Sequence, residues 1–288
     1  MSRNSSRIQP PSQQNIPEQL KKPNYTKSEP NPFGMSFVVP TSIVELPTSG
    51  EFYDKDSSMF GRDTIEVKQM TAKEEEILSN PDFIKDGTML DRLIDSIVVD
   101  KTINTEDIFM SDKNAIIMHA RIASYGPEYG VSNFCTACNT EQEFIFDLNK
   151  SKLSGKLDIE GVVYDSESQT YEFTLPTSEI TMNIRVMGPR EDRYLTEQKE
   201  RSKKLNLPFS DTLSFLRVVV VSANGIEDQG MLNKLFEVLP VLDIRMIKKV
   251  SNSSIPFLDT TQEVACGGCG HVTESEVPFS LGFFWPKL

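Results

Sequence analysis

Polar and apolar residues along the chain pattern as short strands that hand over to helices. The runs IEVKQM (Ile65–Met70) and MNIRVM (Met182–Met187) read as strands. Downstream of each, apolar residues move to spacings of three and four: Leu90, Leu93, Ile97 and Val98, then Leu213, Leu216, Val220 and Val221. That spacing marks a helix with one buried face. The run RVVVVSA (Arg217–Ala223) is β-branched and suits a strand as well as a helix. Further helices are expected over about 104–124 and over Gln229–Lys249, with a break near Pro240. Strand-like residues lead into two cysteine turns, at Val131–Phe134 and Glu263–Ala265. Phe144, Phe146 and Leu148 alternate on one face after the first turn. The expected fold class is α+β, a mixed α/β arrangement of short strands and helices.

These elements follow one plan twice. LPTS occurs at Leu46–Ser49 and again at Leu175–Ser178, and the two strand runs follow. Both runs end in Met, with a basic residue two positions earlier, Lys68 and Arg185. TAKEEEIL (Thr71–Leu78) then aligns without gaps against GPREDRYL (Gly188–Leu195), matching Glu74 to Glu191 and Leu78 to Leu195. Thr71 with Glu74 forms a capping box. Gly188 can cap a helix that has Pro189 at its favoured first position. An internal duplication is therefore expected. The division is a basic arm over 1–34, a first repeat over 35–150, a linker over 151–164 and a second repeat over 165–288. Each repeat ends in a CxxC turn, and the second carries an aromatic tail.

Composition changes the picture at the N-terminus. Residues 1–34 are rich in Ser, Asn, Gln and Pro and almost lack large apolar side chains. They carry five basic residues (Arg3, Arg7, Lys21, Lys22, Lys27) and two acidic ones (Glu18, Glu29), a net of +3. Such a segment cannot bury enough surface to fold alone, so a disordered basic arm is expected, either a plain tail or one that orders against an acidic partner. The 288-residue chain as a whole has a net charge of −12. That acidity argues against nucleic acid as the main partner. No apolar run approaches a membrane span. The opening MSRNSSRIQPP lacks the apolar core of a signal peptide, so a reducing, cytoplasmic setting is expected.

The four cysteines form two CxxC pairs with none left over: Cys135 with Cys138, and Cys266 with Cys269. A CxxC turn aims two thiolates at one point, and two such turns complete a tetrahedral four-thiolate zinc site. Small residues fill each turn (Thr136 and Ala137; Gly267 and Gly268). Asn139 and Gly270 follow directly, and both types tolerate a positive φ. One structural zinc ion on Cys135, Cys138, Cys266 and Cys269 is expected, against the plain alternative of four buried free thiols. A single ion would join the middle of the chain to its end. A redox pair fits poorly, since neither CxxC opens a helix in a βαβ setting.

No Gly-rich phosphate loop, GxSxG elbow or HExxH is present, and no nucleophile, base and orienter come together. No catalytic residues are expected, and the protein reads as non-enzymatic. His119 sits in a helical run as a structural residue. His271 follows Cys269 closely, with an exposed imidazole as the favoured reading over a metal ligand. Phe279, Phe283, Phe284 and the sole tryptophan, Trp285, crowd the C-terminus. They either pack on the core or dock into a partner. Docking through the arm and through Phe283, Phe284 and Trp285 is the expectation to be tested.

Several segments together resemble the baseplate hub assembly proteins of T-even-like contractile-tailed bacteriophages. They are NPF (Asn31–Phe33), VELPTSGEFY (Val44–Tyr53), MTAKEEEIL (Met70–Leu78) and IASYGPEYGVSNFCTAC (Ile122–Cys138). The resemblance covers about residues 31–148 and extends more loosely into the second half. It implies a structural or assembly protein of the central tail hub, acting as hub subunit or assembly factor. It also implies other hub proteins as partners and a place in the host cytoplasm during assembly or in the tail baseplate. The rival readings are a cellular zinc-ribbon adaptor in a multiprotein complex and a metal-dependent enzyme.

Overall fold

A computed structural model describes residues 39–284 apart from 156 and 280, without the side chain of Leu281. The arm over 1–34, the Asn31–Phe33 segment and Trp285 lie outside these residues. The first series runs β1 (Thr41–Glu45), β2 (Thr64–Lys68), α1 (Ala72–Ser79), α2 (Pro81–Lys85), α3 (Met89–Ile97), α4 (Met110–Tyr125), β3 (Glu128–Phe134) and β4 (Glu141–Asp147). Next come β5 (Lys152–Leu153) and β6 (Val163–Asp165). The second series runs β7 (Thr170–Thr174), β8 (Thr181–Arg185), α5 (Pro189–Lys204), α6 (Asp211–Val219), β9 (Val220–Ala223), α7 (Gln229–Val238), α8 (Val241–Ser253), β10 (Leu258–Asp259), β11 (Gln262–Ala265) and β12 (Val272–Ser275). The sheets are small and antiparallel: β1–β2, β3–β4, β5–β10, β11–β12 and the four-stranded β6–β7–β8–β9. This is the mixed helix-and-strand class expected.

Both LPTS segments are turns between paired strands, β1–β2 and β7–β8. Val44 lies opposite Ile65, and Phe173 opposite Met182. All four are buried, as are Leu46 and Leu175. Each strand then enters its helix through the same contact. The Thr71 N–H donates to Glu74 Oε2 at 2.9 Å, and the Gly188 N–H donates to Glu191 Oε2 at 3.1 Å. These reciprocal bonds satisfy a donor that a bare helix start leaves open.

The apolar helices also correspond, one residue out of the register expected from spacing. Val98 and Val220 both terminate a nine-residue helix, α3 and α6. Val98 pairs back to Val67, and Val220 pairs back to Ile184. The β-branched run is thus divided. It is helical to Val219 and then becomes β9, because the β8 edge offers backbone partners from Val220 onward. The long helix expected over 104–124 is a 3-10 turn at Thr105–Asp107 followed by α4. The Gln229–Lys249 helix breaks at Pro240 into α7 and α8, as expected. The polar stretch read as a linker contains β5, which pairs with β10.

Buried residues of both series form one hydrophobic cluster. It includes Phe283 and Phe284, which corrects the expectation of docking through these two rings. Both rings are buried, at 1% and 2% exposure. Phe283 meets Tyr129 edge-on at 5.1 Å and Phe284 at 5.4 Å. The fully buried Arg121 donates from Nε to the Phe283 carbonyl at 2.7 Å. Its other nitrogens donate to the carbonyls of Gly126 (2.7 Å) and Glu128 (3.0 Å). One guanidinium therefore binds the tail to the α4–β3 corner. Burial lowers its pKa, but carbonyl oxygens accept from all three of its nitrogens.

Candidate metal centre

Strands β3 and β4 are one hairpin, and β11 and β12 another; each closes with a CxxC turn. The turns share a hydrogen-bond pattern. The Cys135 N–H donates to the Thr140 carbonyl (3.0 Å) and the Asn139 N–H to the Cys135 carbonyl (2.9 Å). In the second, the Cys266 N–H donates to the His271 carbonyl (2.8 Å) and the Gly270 N–H to the Cys266 carbonyl (2.8 Å). Asn139 and Gly270 hold positive φ, 55° and 71°, which an Asn or Gly accepts at low cost.

The two turns face each other. Cys135 Sγ lies 3.8 Å from Cys269 Sγ, and Cys138 Sγ lies 3.7 Å from Cys266 Sγ. All four sulfur atoms lie within 4.8 Å of one another. Cys135 and Cys266 are buried, and Cys138 and Cys269 are exposed. The four cysteines named from the sequence are therefore brought together at one point, where they could hold a metal ion. They are the only such cluster of three or more potential ligands among the described residues.

Electrostatics bears on the same point. Thr140 Oγ1 lies 3.3 Å from Cys138 Sγ and, with the Thr140 backbone, pulls the Cys138 pKa down to about 6. At Cys269 the backbone of His271 favours the thiolate. Hydrogen bonding with Cys138 and Cys266 outweighs it and pushes the pKa up to about 12. Four sulfurs this close cannot all ionise alone, because like charges disfavour one another. A cation at the centre removes that conflict.

Side chains also hold the hairpins to each other. Gln262 on β11 accepts from the Asp147 N–H (3.1 Å) and donates to the Asp147 carbonyl (2.8 Å). Gln142 on β4 accepts from the Gly267 N–H at 2.7 Å. The histidines do other work. His119 Nε2 is 2.7 Å from Ser42 Oγ, and burial lowers its pKa. His271 is exposed and contributes its carbonyl to the turn.

Sequence reasoning missed two acids that repeat the plan. Asp112 accepts from the Thr48 N–H (3.1 Å), the Thr48 hydroxyl (2.7 Å) and the Tyr53 hydroxyl (2.6 Å). Asp243 accepts from the Thr177 and Ser178 N–H groups at 2.8 and 3.0 Å. Both acids are fully buried, and each occupies the third residue of its helix, α4 or α8. Each LPTS turn is thus clasped by the helix that leads to its hairpin. The signal was available: IFMSDKNAI (108–116) and LPVLDIRMI (239–247) align with the acids in register. Burial pushes the Asp112 carboxyl up despite its hydrogen bonds, whereas at Asp243 the bonds from Ser178 and Thr177 outweigh burial and hold the pKa down.

A family model described as T4 bacteriophage base plate protein matches residues 20–285. The chain belongs to this family. The match reaches past the second cysteine pair and covers both series. Neither the curated proteins nor the solved structures contain a match. Membership in a base plate family makes a structural role in the phage tail the expected one and implies other base plate proteins as partners. No helix among the described residues is long and apolar enough to cross a membrane.

Proposed function

We propose that this base plate protein acts in formation of the central hub of the tail, as a hub subunit or assembly factor, and catalyses no reaction. The observation that carries the reading is the family match over nearly the whole chain, joined to the hub-like segments Val44–Tyr53, Met70–Leu78 and Ile122–Cys138. The protein works in the host cytoplasm while the hub is built, against other hub proteins. Its division is that of the repeated element order: repeats over 35–150 and 165–288, a linker over 151–164, and a basic arm over 1–34 that engages a partner. With Phe283 and Phe284 buried, the arm and Trp285 are left as the docking elements.

One structural zinc ion on Cys135, Cys138, Cys266 and Cys269 fastens the two hairpins. A tetrahedron with zinc–sulfur bonds of about 2.3 Å has sulfur–sulfur edges of about 3.8 Å. The 3.7 and 3.8 Å pairs agree with that edge. The all-thiolate set also favours zinc over hard oxygen-seeking cations, and a closed shell of four leaves no open position for catalysis. Affinity-tagged protein recovered from infected cells should carry hub proteins, and deletion of residues 1–30 should reduce that recovery. Elemental analysis should give about one zinc per chain, and serine at any one cysteine should destabilise both hairpins, since metal binding and folding are coupled. Recovery of outer base plate proteins without hub proteins overturns the hub role. Protein purified without metal that takes up none overturns the zinc site.

A further inference from the structure

The two CxxC turns are alike in backbone, yet among the described residues only the second receives a side-chain brace on its backbone from the opposite hairpin. Gln142 stands on β4, four residues beyond Cys138, and its Oε1 accepts the Gly267 N–H at 2.7 Å. Gly267 is the first residue inside the second CxxC turn. The position equivalent to Gln142 in the second hairpin is Thr273, four residues beyond Cys269. Among the described residues the Thr273 hydroxyl bonds locally, 3.4 Å from the Glu274 carbonyl. At the turns the brace therefore runs in one direction, from the first hairpin onto the second turn.

Glycine at position 267 suits this approach. A Cβ there would sit 3.4 Å from Gln142 Oε1, at the close edge of ordinary contact. With Gly267 and Gly268 adjacent, the second turn has little intrinsic stiffness, because glycine retains the most freedom in the unconstrained chain. The first turn, with Thr136 and Ala137, is stiffer and carries its own bond from the Ala137 N–H to Cys135 Sγ at 3.4 Å. The loose turn is the one that receives the brace.

We propose that Gln142 is a positioning residue for the metal. It holds the Gly267–Gly268 turn against the first hairpin, so that Cys266 and Cys269 meet Cys135 and Cys138 at tetrahedral spacing before the ion arrives. Gln142 touches no ligand sulfur; it acts through the Gly267 backbone. Without it, the ion must order a diglycine turn as it binds, and affinity falls. Partners one layer outside a metal's ligands commonly change affinity by about 10–100-fold. Gln262 braces the opposite end of the same pair of hairpins, at Asp147, so the hairpins stay side by side when Gln142 is changed.

The inference rests on the zinc reading, and the test separates the two. Full-length protein is stripped of metal and titrated with zinc against a chromophoric chelator. Cobalt(II) titration reports thiolate coordination through its absorption bands. Wild-type protein should bind one equivalent. Q142A and Q142M should each weaken zinc binding by about tenfold or more and speed its release to the chelator. Melting of the metal-free protein should change little. Q142M keeps the side-chain volume and lacks the acceptor, so it stands in if Q142A folds poorly. T273A, at the position that makes no cross-brace, should bind as wild type does. Metal-loaded wild type with unchanged affinity in Q142A and Q142M overturns the brace and leaves the zinc site intact. Equal weakening in T273A also overturns it, since the effect would then be general to the hairpins. Wild type that binds no metal removes the zinc site itself.

Discussion

Replacing Phe283 with alanine tests whether the C-terminal segment is part of the core. The ring is 1% exposed and lies against Tyr129, Phe279 and Phe284 at centroid distances of 5.1, 5.1 and 5.4 Å. Truncating a buried phenylalanine costs about 3–5 kcal/mol, from lost transfer energy and the cavity left behind. For a domain of this size each kcal/mol moves the melting temperature by about 2–4 °C. F283A should therefore melt about 6–20 °C below wild type. Deleting residues 282–288 should cost more. It removes a second buried ring, Phe284, and takes the Phe283 carbonyl from Arg121 Nε. A buried charged donor left without its acceptor adds about 1–3 kcal/mol or more. Whole domains hold only about 5–15 kcal/mol, so the truncated chain should lose its cooperative transition. Calorimetry on purified wild type, F283A and the truncation measures all three. An F283A melt within two or three degrees of wild type (about 1 kcal/mol) would refute the reasoning and return the tail to the role of a docking segment.

Two further predictions concern the buried carboxylates. Glu74 is fully buried; burial alone would raise its pKa, but bonds from Ser96, Thr71 and Lys68 outweigh it and bring the value from 4.5 to about 2. Its stabilisation is thus fully present above about pH 4.5 and is lost as pH falls toward about 2, a span of roughly 3 kcal/mol. E74Q should flatten the acid limb of stability against pH in that window, and an unchanged acid limb would show that Glu74 is not paired as described. D112A leaves the Thr48 N–H, the Thr48 hydroxyl and the Tyr53 hydroxyl without their acceptor, and urea unfolding should show a loss of about 3–5 kcal/mol. A loss below about 1 kcal/mol would mean that water replaces the carboxylate and that the clasp is not needed.

Much of the four-cysteine cluster was legible because its chemistry is local. A CxxC turn needs two cysteines three apart and a residue that tolerates positive φ just after them. Cys135, Cys138 and Asn139, then Cys266, Cys269 and Gly270, satisfy that within one short stretch each. The capped helix starts at Thr71 and Gly188 were legible for the same reason, since Glu74 and Glu191 bond a backbone group three residues away. The clasping acids were harder to find. Asp112 binds Thr48 across 64 residues and Asp243 binds Thr177 across 66, so no local pattern announces either bond. Only their matching places in two related helices mark them.

By itself, then, the amino-acid order determined the strand-to-helix hand-overs, the repeat of LPTS, strand, helix and cysteine turn, and the four-cysteine set. Each rests on side-chain period or on hydrogen bonds spanning a few residues. Tertiary structure decided the rest. Val220 ends a helix and starts a strand because β8 stands beside it with open backbone groups. Phe283 and Phe284 are core residues because Arg121, 162 residues earlier, has a donor for the Phe283 carbonyl, and because Tyr129 lines the site. An apolar side chain carries no mark of which surface it will cover. Hydrophobic burial is non-directional, so the choice between its own core and a partner was settled by the groups that surround it in space.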